Sequence, residues 1–147
     1  MNDRYLYKAK KKNWRELPTE EQWVVGYIVH RPTGEWEILG KCNNPPDCDP
    51  MWRKVLIAYE IDPSTICRCT GLKDKNEKLI WENDIVRCKY DDDYGGKGEY
   101  TGKVIFREDI CAFVVTDMKS TNYQWWNEDK EVIGNKFDNP EMLEVEK

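Results

Sequence analysis

Short runs of aromatic and β-branched residues, each closed by a turn-forming cluster, recur along this chain and restrict it to an architecture of many short strands. Trp23 to His30 is one such run. Pro32-Thr33-Gly34 turns it, and Glu35 to Leu39 returns with Trp36 and Ile38 alternating against Glu35 and Glu37, the pattern of a hairpin. Asp62-Pro63 leads into Thr65 to Thr70, Asp74-Lys75-Asn76-Glu77 turns the chain again, and Leu79 to Tyr90 follows. Glu99 to Phe106 and Cys111 to Thr116 flank Arg107-Glu108-Asp109, and Val132-Ile133-Gly134 makes a last strand. An opening strand is read over Arg4 to Lys10, where Tyr5 and Tyr7 alternate against Leu6 and charged neighbours.

Between these runs the residues favour loops and single helical turns. Thr19 followed by Gln22 has capping-box spacing and predicts one helical turn at most. Asn139 is placed to cap a short C-terminal helix, with Pro140 at its first position and Glu141 near its positive end. Pro45, Pro46 and Pro50 make Cys42 to Pro50 a loop, because proline cannot donate to a ladder. Met51 to Ile61 reads two ways: Trp52, Leu56 and Tyr59 line a helix, whereas Val55, Ile57 and Tyr59 alternate as a strand. Met118 to Lys130 is irregular.

A chain of 147 residues is the common size of one domain, and no linker or repeat divides it, so 1–147 is read as a single domain. Seven Trp, eight Tyr and three Phe add packing units that suit half-buried strands. A net charge of -5 gives a field mildly repulsive to phosphate and argues against nucleic acid as the main partner. No apolar run approaches the roughly 20 residues that span a bilayer, and the first residues are charged, so the chain is expected to be soluble, away from membranes and cytosolic. Six cysteines, Cys42, Cys48, Cys67, Cys69, Cys88 and Cys111, are then expected as free thiols.

Cys67-x-Cys69 puts two thiols on one side of a strand and Cys42-x5-Cys48 lies in a loop, but neither has the C-x2-4-C spacing of structural zinc, and buried cysteine acts as a small hydrophobe. His30 is the single histidine, with no cysteine flanked as an activated nucleophile would be. Asp91, Asp92, Asp93 and Asp109 lack calcium-loop spacing, and Gly95-Gly96-Lys97-Gly98 lacks the phosphate-loop pattern. No catalytic residue, metal or cofactor is therefore assigned, and the protein is read as a non-enzyme. One cluster stands out. Lys8, Lys10, Lys11, Lys12, Trp14 and Arg15 interleave cations with a stacking ring, as in single-strand binding. Residues 1–16 hold six basic and two acidic groups, +4, against -9 for the remainder. A solvated strand face is the competing and favoured reading.

Thr70-Gly71-Leu72-Lys73-Asp74-Lys75-Asn76-Glu77-Lys78-Leu79-Ile80-Trp81-Glu82-Asn83-Asp84-Ile85-Val86-Arg87 resembles the signature of the YopX family of bacteriophage and prophage proteins. Glu131-Val132-Ile133-Gly134-Asn135 with Asp138-Asn139-Pro140-Glu141-Met142-Leu143 is similar to the family's closing element, and Arg4 to Lys10 and Asp62 to Ile66 to its opening strand and its lead into the signature. The resemblance runs end to end and favours extended structure in the second half of Met51 to Ile61. It implies no established activity. Glu77 departs from the family's frequent Asn-Gly turn, and Asn83 from the glycine of an "EGDIV" strand start. The fold expected is all-β with minor α: a small, strongly bent SH3-like or related β-barrel centred on Thr70 to Val115, closed by the Val132 strand, with an N-terminal hairpin region and a short C-terminal helix.

The function expected is that of a phage accessory protein in the host cytoplasm, binding an unidentified host or phage protein or a second copy of itself. Nucleic-acid binding through the basic N-terminal hairpin is the alternative. Tyr123, Trp125 and Trp126 are the candidate partner contacts, because adjacent residues of an extended chain face opposite ways and one tryptophan is then left outside the core. A loop folded over the barrel end with both rings buried is the other reading of that segment.

Overall fold

The computed structural model describes residues 5–41, 56–91, 95–117, 122–123 and 129–143. Its strands are β1 (Tyr7–Lys10), β2 (Trp23–His30), β3 (Trp36–Lys41), β4 (Leu56–Glu60), β5 (Cys67–Lys73), β6 (Leu79–Trp81), β7 (Asp84–Asp91), β8 (Lys97–Arg107), β9 (Ala112–Asp117), β10 (Asn122–Tyr123) and β11 (Asp129–Asn135). Pairing is antiparallel throughout and makes two sheets. The helical pieces among the described residues are 3-10 turns at Trp14–Glu16, Thr19–Glu21, Pro63–Thr65 and Pro140–Leu143. None is long and apolar enough to cross a membrane. The chain forms two compact units, Met1–Arg68 and Cys69–Lys147.

In the first unit β2 changes partner at Gly26. Its first half, Trp23 to Gly26, pairs with β1, and its second half, Tyr27 to His30, pairs with β3. A Cβ at Gly26 would lie 1.9 Å from the Leu39 carbonyl oxygen, so only glycine allows this approach. β3 then pairs with β4, and beyond β4 the chain turns back toward β1: Lys11 bridges Ile61, the Lys12 N–H donates to the Glu60 carbonyl at 3.0 Å, and the Asp62 N–H donates to the Lys10 carbonyl at 2.9 Å. The corner is made by Asp62-Pro63-Ser64-Thr65. The Asp62 carboxylate accepts from the Ser64 N–H and hydroxyl, and the Thr65 hydroxyl oxygen accepts from the Lys10 N–H at 2.8 Å. One run from Leu56 to Arg68 thus pairs with β3 at its start and β1 at its end. Ala9, Val24, Ile38 and Ile61 are buried inside the curl, with Tyr7, Ile28, Trp36, Tyr59 and Ile66 packed around them.

In the second unit the order is β10-β9-β8-β7-β11, and β6 pairs with the end of β5. Ile80, Val86, Cys88, Val104 and Val115 form its core, with Tyr100, Phe113 and Val132 against them. Asp74 organises the signature turn. One carboxylate oxygen accepts from the N–H groups of Asn76 (2.8 Å) and Lys78 (2.9 Å), and the other from the N–H of Val132 (2.9 Å), 58 residues away. Glu77 closes this turn at φ +64, and Asn83, in the turn just before β7, has φ +72, so both departures from the expected glycines adopt the left-handed backbone that glycine would have taken.

Several expectations are corrected. Among the described residues the strands form no closed barrel: β11, the Val132 strand, pairs with β7 at the end of its sheet and carries a register shift between Val132 and Gly134. Leu79 to Tyr90 is two strands, because Asn83 turns the chain and the buried Asp84 carboxylate accepts from the Trp81 N–H at 2.8 Å. Among the described residues the C-terminal segment holds a four-residue 3-10 turn, Pro140–Leu143, with Pro140 at its first position as expected, and the Asn139 side-chain oxygen accepts from the Asn135 N–H. Thr19 lies inside its turn, where Pro18 is the cap residue and no side-chain cap bond forms. β1 begins at Tyr7, and the second half of Met51 to Ile61 is the strand β4, while Cys42 to Val55 lies outside the described residues.

Candidate partner-binding surface

Alternation along β1 sends Ala9 into the first core and Lys8 and Lys10 to the opposite face, where Lys10 lies across from Trp23. The two 3-10 turns between β1 and β2 fold over that face. Lys10 is only 1% exposed, although it opens the surface-like run Lys10-Lys11-Lys12. Its ammonium donates to the Gln22 side-chain oxygen at 2.9 Å and stands 4.0 Å from the centre of the Trp14 ring and 5.4 Å from that of Trp23. A buried cation needs such acceptors, and indole faces supply negative electrostatic potential without taking up its charge. Gln22 is held in turn by its amide, which donates to the Leu17 carbonyl, and Trp14 by its indole N–H, which donates to Asp62 at 3.1 Å.

Neighbouring cations are engaged in the same way. Lys8 lies 4.6 Å over Trp23 and Arg15 4.3 Å over Trp14. Lys11 lies 5.1 Å over Tyr59, and Lys12 pairs with Glu60 at 2.9 Å. That bond to Glu60 raises the Lys12 pKa above its ordinary value. The Asp62 carboxyl is held below its ordinary range, first by the Ser64 hydroxyl, against an opposing push from burial, and then by the Trp14 indole and the Ser64 N–H. Of the six residues read as a nucleic-acid site, Lys8, Lys10, Trp14 and Arg15 gather around the two indoles, Trp14 and Trp23, which already carry the chain's own cations, while Lys11 lies over Tyr59 and Lys12 pairs with Glu60.

The same face continues over β2, β3 and β4, where apolar residues stand beside Glu37 and Glu60. Val25 and Tyr27 of β2 are 44% and 45% exposed, and Tyr27, Leu39 and Ala58 stand side by side across β2, β3 and β4. Leu39 is half-buried and Ala58 exposed. Sequence reasoning missed this row, although Trp23 to His30 is apolar on both faces, which a strand with one wet face would not be.

The family model described as YopX protein matches residues 10–144. The chain belongs to the YopX family. No curated protein matches it. The span matched to YopX contains the Lys10 enclosure, the apolar row and the Asp74 clamp.

Other candidate residues in this YopX fold are dispersed. Tyr123 falls in β10, which pairs with β9 at the edge of the second sheet, while Trp125 and Trp126 lie outside the described residues. His30 is exposed and stacked on Trp36, with ring centres 4.0 Å apart. Cys67, Cys69 and Cys88 are buried, and Cys111 is exposed in a turn. Cys42 and Cys48 lie outside the described residues, among which no group of three His, Cys, Asp or Glu is placed to hold a metal. Asp109 pairs with Arg107.

Proposed function

We propose that this YopX protein is a non-enzymatic bacteriophage or prophage accessory protein that acts in the host cytoplasm by binding another protein through the outer face of β2, β3 and β4. The observation that carries this reading is the group of exposed Val25, Tyr27 and Ala58 around half-buried Leu39, beside a basic cluster in which Lys8, Lys10 and Arg15 lie over indole rings and Lys12 pairs with Glu60. Exposed apolar residues grouped on one face favour association, whereas isolated ones need no explanation. Stacking a nucleobase on Trp14 or Trp23 would compete with Lys8, Lys10 and Arg15, which disfavours the nucleic-acid alternative. The family match runs through both compact units and supports reading 1–147 as one domain. The left-handed Asn83 just before β7 supports an SH3-like character for the second unit.

The test is affinity capture from lysogenic cells with the wild-type protein and with Tyr27→Glu, whose site is exposed and whose folding is checked by circular dichroism. Loss of one partner with Tyr27→Glu is expected. Oligonucleotide binding that weakens steeply as salt rises, unchanged by Tyr27→Glu, would replace this reading with the nucleic-acid one.

A further inference from the structure

β4 is the end strand of its sheet, and beside Glu60, whose carbonyl is taken by the Lys12 N–H, its edge at Ala58 has no partner among the described residues. The Ile61 N–H donates to the Trp36 carbonyl at 3.0 Å, so the odd-numbered residues here turn their backbone groups toward β3. The Glu60 carbonyl turns the other way, accepting from the Lys12 N–H. By the same alternation the exposed Ala58 directs its N–H and C=O away from the sheet. A groove of about 340 Å³ runs along this edge, lined by Lys11, Lys12, Asn13, Ala58, Tyr59 and Glu60. Such an edge offers main-chain donors and acceptors to one more strand.

We propose that an extended segment of a partner protein, alternating apolar and acidic residues, adds as a strand to the edge of β4. The proposal rests on the protein-binding reading and gives it a site and a chemistry. The partner's apolar side chains would lie next to Ala58 and lengthen the row of Tyr27, Leu39 and Ala58 on the outer face. Its alternate side chains would then fall on the face of Tyr59 and Lys11, since Lys11 bridges Ile61 on that face. Lys12 is neutralised by Glu60, but Lys11 makes no ion pair among the described residues, so the charge offered there is positive and selects carboxylates. Main-chain bonds supply affinity in this mode, and alternate side chains supply selectivity.

The experiment uses fluorescein-labelled peptides of alternating valine and glutamate, alternating valine and lysine, and the glutamate peptide N-methylated at every second residue. Anisotropy with the full chain is expected to rank the glutamate peptide about tenfold tighter than either control, a difference on the order of 1.4 kcal/mol. Lys11→Glu should remove the preference for glutamate over lysine, with its circular dichroism and melting temperature confirming that it folds. Equal binding by the three peptides, or binding by none, overturns strand addition. If partner capture is still lost with Tyr27→Glu in that case, the protein-binding reading stands and only the proposed edge site fails.

Discussion

Lys10 in the first unit and Asp74 in the second are both charged and both nearly enclosed, at 1% and 6% exposure, yet they are accommodated by opposite means. Among the described residues Lys10 meets the Gln22 side-chain oxygen and the faces of two indoles. Asp74 meets three backbone N–H groups, two in its own turn and one from β11. Removing the cation leaves rings that still pack against apolar atoms. Removing the anion leaves donors with no acceptor and releases a tie between segments 58 residues apart. A buried charge held by side chains is therefore replaceable, whereas one held by backbone donors fixes the fold.

The largest effect follows from breaking the stronger side of that contrast. Asp74→Ala is expected to lower stability by about 3–4 kcal/mol, through one charge-assisted bond to β11 and two within the turn. Urea unfolding of the variant measures it, and a loss below about 1 kcal/mol would show that water satisfies those donors. Acid offers the same test without mutation. Burial pushes the Asp74 carboxyl up, but the N–H groups of Val132, Lys78 and Asn76 outweigh it, and the net pKa lies below the ordinary value. A depressed folded pKa contributes stability that is present above the unfolded pKa of about 3.9 and fades as pH falls through the folded one. The gap between wild type and Asp74→Ala should therefore narrow as pH is lowered past about 4, and a constant gap down to pH 2 would contradict the assignment.

Lys10→Met tests the weaker side. It keeps the buried stem and gives up the bond to Gln22 and the two ring contacts, for an expected loss of about 1–2 kcal/mol by thermal melting. A loss as large as that of Asp74→Ala would erase the contrast. The smallest effect concerns the turn that Asp74 organises. Glu77 holds φ +64 where Gly34, in the β2–β3 turn, holds φ +104 with open space around its Cβ position. Glu77→Gly should stabilise by about 0.5–1 kcal/mol and Gly34→Ala should destabilise by about 1 kcal/mol, because the left-handed conformation burdens any residue with a Cβ.

Much of the fold was legible because alternation and turn residues are local. The β2–β3 hairpin, the Asp74 turn and the strands that became β8 and β9 followed from neighbours within a few positions. What escaped depends on long-range partners. Asp74 reads as a turn residue, and nothing nearby announces that its second oxygen reaches Val132. Lys10 sits in a run of three lysines, where only the fold distinguishes the enclosed one from Lys12, whose side chain is 70% exposed. Single strands gave the apolar residues but not the register that sets Tyr27, Leu39 and Ala58 side by side. The barrel failed for a related reason, since the run of strands does not reveal which edges meet.

The central claim, that Lys10 belongs to the interior while the lysines after it do not, is tested most directly by lysine footprinting. The folded protein is treated with increasing amounts of an acetylating reagent, and each site is read by mass spectrometry. Lys10 is predicted to stay unmodified at reagent levels that fully acetylate Lys12, and to react only once the chain is unfolded in denaturant. Modification of Lys10 at the same rate as Lys12 in the folded protein would contradict the enclosure and return the basic cluster to the surface.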